Sequence, residues 1–313
     1  MTRTRPLLAM PALAAALLSG CNLAPPYARP GIATVPASFK EAPGWRPATP
    51  SDALAKGEWW TMFGDPVLDD LERRVIVSNQ NLAAAKATYD AARALVREQR
   101  AAALPTVSLQ TNANDSGGLA ANSSIKPAGS IQLGLQASWE PDLWGKIGNT
   151  VSQARAQAQA SAADLANATL SAQAELALDY VQLRGIEAQK AALDATVVDY
   201  ERALTITTNL YNAGVSARAD VLQAETALRN ARGDAADLVR QRALLEHAIA
   251  VLVGENPSSF SIAPAATWNR AVPEVPAILP AELLERRPDI ASAERGVAAA
   301  NANIGVQRAA FFP

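Results

Sequence analysis

Residues 146–212 read KIGNTVSQARAQAQASAADLANATLSAQAELALDYVQLRGIEAQKAALDATVVDYERALTITTNLYN, a run without proline in which the only glycines are Gly148 and Gly185. Nothing in it breaks a helix, and at about 1.5 Å per residue it spans roughly 100 Å. That is several times the usual globular helix of about 10–14 residues. Apolar positions keep three- and four-residue steps along it: Leu176, Tyr180 and Leu183, then Leu193, Val197, Tyr200, Leu204, Thr207 and Tyr211, interrupted near Lys190. Abundant alanine elsewhere leaves room for close neighbours on more than one face.

The helix has an immediate partner. Gly214 is placed to end it in the left-handed conformation, and Ser216 to cap the next helix. The return run, residues 217–253, carries Leu228, Ala231, Ala235, Leu238, Leu245, Ile249 and Leu252 in a coiled-coil period that only Arg242 breaks. A long antiparallel hairpin follows, and several hairpins side by side make a helical wall.

Upstream, two segments alternate with period two. In 106–114, Val107 and Leu109 alternate with Ser108, Gln110 and Asn112; in 130–139, Ile131, Leu133, Leu135 and Trp139 alternate with Gln132 and Gln136. Soluble half-buried hairpins show this alternation too. Strands of about 10 residues with an apolar outer and a polar inner face also suit a membrane barrel with a wet lumen. On that reading Val107, Leu109, Ile131, Leu133, Leu135 and Trp139 face lipid, and Ser108, Gln110, Asn112, Gln132 and Gln136 line the pore. A one-residue slip exchanges the faces. The Gly-, Ser- and Asn-rich stretch 115–129 between them reads as an exposed loop.

A helix is expected over 66–104, with Asp65 as its cap and Pro66 at its first position. Asp69, Asp70 and Glu72 then sit in its first turns, where the macrodipole favours negative charge. Before it, residues 21–58 hold seven prolines and no apolar period, as an extended tether does. Residues 1–20 have a basic head (Arg3, Arg5), an apolar run too short to span a bilayer, and Ser19-Gly20 before Cys21. This is a secretory signal whose end resembles a lipoprotein cleavage site, so Cys21 is the expected lipid attachment. Because Asn22 is not the aspartate that marks inner-membrane retention in such proteins, the resemblance favours the outer membrane.

After the hairpin, 254–280 reads as a Pro- and Ala-rich linker, and 281–313 as the start of a second repeat. Asn79–Pro105 aligns without gaps on Arg287–Pro313 with ten identities in 27 positions, paired terminal prolines included. Since Pro105 precedes a strand, Pro313 is expected to precede another strand pair, and the sequence is expected to be truncated.

Some functions are excluded early. A net charge of -2 leaves no basic footprint for nucleic acid. Cys21 is the single cysteine, so no disulfide closes within the chain. His247 is the single histidine, and no motif has metal, phosphate or nucleophile spacing. No enzyme, cofactor or metal is expected.

Trp59-Trp60 with Phe63-Gly64-Asp65-Pro66, the segment Trp139-Glu140-Pro141-Asp142-Leu143-Trp144-Gly145-Lys146, Tyr211-Asn212-Ala213-Gly214-Val215, and Arg286-Arg287-Pro288-Asp289-Ile290 with Glu294 together resemble the outer-membrane efflux family. The likeness is to the lipoprotein branch of TolC-like channels serving resistance-nodulation-division pumps, and it runs from Cys21 to the end. It implies a mainly α fold with a short β part: a long antiparallel hairpin in a tunnel wall, plus two transmembrane strands contributed to an oligomeric barrel. It further implies a homotrimer in the full-length form, a periplasmic adaptor, an inner-membrane pump, outer membrane lipids and passive export of drugs or small solutes. The turn Gly214, Val215 and Ser216 becomes the tip facing the adaptor. The sequence departs from the family by lacking the second repeat, which would carry the gating residues. The alternative is a lipid-anchored periplasmic coiled-coil adaptor or scaffold, which would flank its hairpin with small β-rich domains.

Overall fold

The computed structural model describes residues 22–28, 38–39, 42–43, 57–116, 128–265, 268, 284 and 286–312. The signal 1–20, Cys21, and residues 266–267 and 269–280 of the linker 254–280 lie outside the described residues. In chain order come two-residue strands β1 (Ser38–Phe39) and β2 (Ala42–Pro43), a 3-10 turn (Trp59–Phe63), and helices α1 (Pro66–Ser78) and α2 (Gln80–Ala101). There follow β3 (Thr106–Ser116), β4 (Ala128–Ser138), α3 (Lys146–Asn212), α4 (Arg218–Leu252) and α5 (Pro288–Ala309). The chain divides into two compact units. One holds residues 1–37, 87–164 and 287–313; the other holds 38–86 and 165–286.

In the second unit α1 begins as read: the Asp65 carboxylate accepts from the Val67 and Leu68 amides, with Pro66 at the first position. The helix does not run on to Leu104. It stops at Ser78, because Asn79 turns extended (ψ 120) and its Oδ1 caps a new helix by accepting from the amides of Asn81 and Leu82 at 2.9 and 3.1 Å. Its Nδ2 donates to the Leu252 carbonyl at 2.8 Å, which ties the break to the end of α4. An asparagine inside a helical period is a latent cap, and here tertiary contact selects it.

The core of this unit joins Trp60, Leu68, Leu71, Val75 and Leu82 to Leu176, Tyr180 and Leu183 of α3 and to Ile249, Val253 and Ile262. Glu72 corrects the macrodipole reading. Leu68, Leu71 and Val75 recur at helical spacing and carry Glu72 inward with them. It is 0% exposed and both its carboxylate oxygens lack a partner among the described residues. Burial pushes its pKa up to about 8.

Arg242, which breaks the apolar seam of α4, is the hub of a polar network. It donates to Glu187 Oε1 at 2.8 Å, to Glu246 Oε2 at 3.1 Å and to the Ile262 carbonyl at 2.6 Å. Arg184 donates to Glu187 Oε2 at 2.8 Å, to the Ala263 carbonyl at 2.9 Å and to the Tyr180 hydroxyl at 3.1 Å. Tyr180 in turn donates to Asp65 at 2.6 Å. One chain of charge-assisted bonds therefore runs from the α1 cap through α3 and α4 to the segment 261–265.

Gly254 closes α4 at φ 72, with Gly254 N–H on the Val251 carbonyl and Glu255 N–H on that of Ala250. A Cβ there would lie 2.4 Å from the Ser78 carbonyl oxygen. Gly254→Ala is expected to cost roughly 2 kcal/mol, from left-handed strain and forced displacement of α1. A thermal midpoint unchanged from the parent protein would contradict this.

In the first unit the described start of the tether is held in place. Residues 22–28 lie on α5: Asn301 donates to the Pro25 carbonyl at 2.9 Å, and the Tyr27 hydroxyl donates to Glu294 at 2.6 Å. Extended backbone leaves its carbonyls free, and α5 supplies donors for them. In the second unit a short β1–β2 pairing lies within the stretch read as an extended tether.

Candidate functional site

Two regions carry the expected functional residues: the β3–β4 pair and the α3–α4 turn. The strands are each two residues longer on the loop side than read, and β4 ends at Ser138, so Trp139 stands one position beyond it. Pairing is antiparallel, with Val107 opposite Ala137, Leu109 opposite Leu135, Thr111 opposite Leu133 and Ala113 opposite Ile131. Ser108 faces Gln136, Gln110 faces Gly134, and Asn112 faces Gln132. Directly opposed residues share a face, so this register puts every expected lipid-facing strand residue on one side and every expected pore-lining residue on the other.

The faces differ sharply in chemistry. Val107, Leu109, Ile131, Leu133 and Leu135 are all large and exposed, Ile131 by 82%. No carboxylate or amine sits on either face between Thr106 and Asn114 or between Gly129 and Ser138. Across the polar face, Gln110 leans past Gly134, which offers it no side chain, and donates from Nε2 to Gln136 Oε1 at 2.9 Å. The Trp139 indole donates to the Ala103 carbonyl at 3.0 Å, pinning the base of the strands to the chain end of α2. No described helix is long and apolar enough to cross a membrane.

At the other end of α3 the turn forms as read, with one correction. Gly214 has φ 74; its amide donates to the Tyr211 carbonyl and that of Val215 to Leu210, both at 2.9 Å. Both bonds of the Schellman motif are present. The cap of α4, however, is Ala217 and not Ser216. The alanine side chain offers no acceptor to the first amides of the helix; the Asp220 carboxylate accepts from the Ala217 amide at 3.0 Å, while Ser216 Oγ reaches back toward the Thr207 carbonyl. Val215 stands 73% exposed at the tip.

Cys21, the expected lipid attachment, lies outside the described residues. Among the described residues no group of His, Cys, Asp or Glu could hold a metal ion. Sequence reasoning missed a cluster of arginines along α2 and α3; its signal was the recurrence of Arg93, Arg97 and Arg100 at four- and three-residue steps.

Comparison with known proteins places these features in company. The family model described as outer membrane efflux protein matches residues 71–255. The probable efflux pump outer membrane protein TtgC of Pseudomonas putida is 34% identical over 99% of this chain and 65% of its own length. The pyoverdine export outer membrane protein OpmQ of Pseudomonas aeruginosa is 32% identical over 95% of this chain and 63% of its own. The chain thus spans about 65% of the length of such relatives. Among solved structures, the outer-membrane channel OprN superposes with a TM-score of 0.77 at 30% identity, covering 93% of this chain and 65% of that one. The open-state MtrE channel of Neisseria gonorrhoeae gives 0.69 at 28% identity, covering 93% and 64%. The likeness shows that the mainly helical fold of this chain is that of such channel structures.

Proposed function

We propose, from the premise that this chain belongs to the outer membrane efflux protein family, that it is a protomer of the outer-membrane channel of a tripartite efflux pump. Its role is passive: an inner-membrane resistance-nodulation-division pump supplies the energy, a periplasmic adaptor joins pump to channel, and drugs or other small solutes pass outward. The working assembly is a homotrimer whose strands share one barrel. Cys21 carries the lipid that anchors the chain in the outer membrane, and Gly214, Val215 and Ser216 form the tip that meets the adaptor. The reading assigns a conduit and no reaction.

The observation that carries this reading is the register of β3 on β4, which gathers Val107, Leu109, Ala113, Ile131, Leu133, Leu135 and Ala137 on one side, with Thr111 as the single hydroxyl among them from Val107 to Ala113, and Ser108, Gln110, Asn112, Gln132 and Gln136 on the other. An apolar face of that size, left bare in water, is a liability; in lipid it is the requirement. A lipid-anchored adaptor or scaffold has no use for such a face. Spin labels placed singly at 131–136 in bilayer-reconstituted protein test it. Labels at 131, 133 and 135 should collide with oxygen dissolved in the lipid, and labels at 132 and 136 with a water-soluble relaxant. A profile without the two-residue alternation would sink the barrel assignment.

A further inference from the structure

We propose that the groove between the second half of α2 and the first turns of α3 binds the phosphate group of an anionic membrane lipid; the assignment rests on the outer-membrane reading above. The groove, about 410 Å³, is lined by Arg93, Arg97 and Arg100 of α2 and Arg155 of α3, together with Tyr89 and Val96. Residues three and four apart share a helix face, so the three α2 guanidinium groups form one stripe, roughly 10 Å long at the helical rise. Arg93 lies over the Tyr89 ring at 5.6 Å. No carboxylate lines the groove. Four like charges around one cleft repel each other, and a bound anion relieves that repulsion. The guanidinium fork matches two phosphate oxygens at once, which an isolated ammonium cannot do.

The internal repeat gives an independent comparison. α2 and α5 are both 22 residues long, and the repeat alignment puts Asn301, Gly305 and Arg308 where α2 has Arg93, Arg97 and Arg100. On α5 that face is occupied. Asn301 donates to the Pro25 carbonyl at 2.9 Å and Arg308 to the Leu23 carbonyl at 3.4 Å. The strap passes so close that a Cβ on Gly305 would meet the Ala24 Cβ at 2.7 Å. Backbone carbonyls are the acceptors on the α5 face. On α2, among the described residues, the equivalent face carries three guanidinium groups and no strap, so it calls for a stronger, charged acceptor.

The same strap sets the level of the groove. Leu23 is two residues from Cys21, so a lipid on Cys21 holds Arg308 close to the headgroups. Gln99 and Ala102, at the C-terminal end of α2, share a cleft of about 440 Å³ with Ala309 and Ala310, at that of α5, which puts Arg100 at the same height. Basic clusters beside membrane-crossing segments attract anionic headgroups in this way.

The test uses the full chain in an uncharged detergent, titrated calorimetrically with dihexanoylphosphatidylglycerol and, separately, with inorganic phosphate. The lipid probe should bind saturably, weaken at higher salt, and lose at least tenfold in affinity in the R97Q/R155Q double variant. R93Q/R100Q should behave alike. All four side chains are exposed, so circular dichroism should show unchanged helicity in both variants. If inorganic phosphate binds as tightly as the lipid probe, the phosphate chemistry holds but the lipid source is overturned. If neither probe binds, or R97Q/R155Q binds like the parent, the site itself is overturned. Measured in detergent, these results stand whether or not the strands enter a bilayer, so failure of the groove and failure of the barrel remain separate outcomes.

Discussion

Glu187→Ala is expected to lower the stability of the second unit by roughly 4 kcal/mol, the usual cost of removing one partner from a buried charged pair. Glu187 serves two arginines at once: Arg184, almost wholly buried, on one oxygen and Arg242 on the other, with the Ala265 amide as a further donor. Without it, Arg184 keeps, among the described residues, the Tyr180 hydroxyl and the Ala263 carbonyl as acceptors, neither of them charged. Burial alone would raise the Glu187 pKa, but the hydrogen bonds from Arg184, Arg242 and the Ala265 amide outweigh it and hold the carboxyl below its ordinary 4.5. A depressed carboxylate stabilises the fold above its unfolded pKa, and the contribution is lost as pH falls through the depressed folded value. The variant should therefore unfold at a much lower temperature at pH 7, with the gap from the parent closing in acid. Far-UV circular dichroism in detergent at pH 7 and at pH 3 reads both. A gap that persists undiminished at pH 3 would assign the loss to packing instead of to the ion network.

Much of the fold was legible because it is written in local rules. Lys146 to Asn212 is a helix with the bounds expected, since Gly145 and Gly214 are both at positive φ and nothing between them breaks the ladder. Asp65 and Pro66 start α1 for reasons confined to five residues. The strand faces were legible too, because a period of two leaves only two choices. What escaped depends on partners far away in sequence. Asn79 looks like any polar residue on a helix until Leu252 arrives to bind its amide. Arg242 looks like a flaw in a coiled-coil seam until Glu187, 55 residues earlier, is brought beside it. The arginine groove needed both: the stripe on α2 was visible as spacing, whereas Arg155 enters only when α3 packs alongside. Glu72 is a different kind of miss. Its position between Leu68 and Val75 on the apolar face was readable, and the macrodipole argument was carried past the first turn, where Asp69 sits.

That misplaced acid yields the second large effect. Glu72→Leu is expected to stabilise the protein, and by about 3 kcal/mol more at pH 8 than at pH 5. With its folded pKa raised from 4.5 to about 8, Glu72 stays protonated in the fold over a range where the unfolded chain ionises it. Between those values each pH unit removes about 1.4 kcal/mol from the folded state. Below 4.5 both states are protonated and the penalty vanishes; above 8 both are ionised and it stops growing. Leucine has a similar volume, joins Leu68, Leu71 and Val75, and carries no polar atoms to leave unpaired. Glu72→Gln separates the two contributions, since it abolishes the pH slope but keeps an unsatisfied amide in the core, so its gain should fall between those of the parent and the leucine variant. Thermal midpoints of the three proteins at pH 5, 6.5 and 8 decide the matter. If leucine gains the same amount at every pH, then Glu72 is solvated or paired in the folded state and its burial without a partner is not what limits stability.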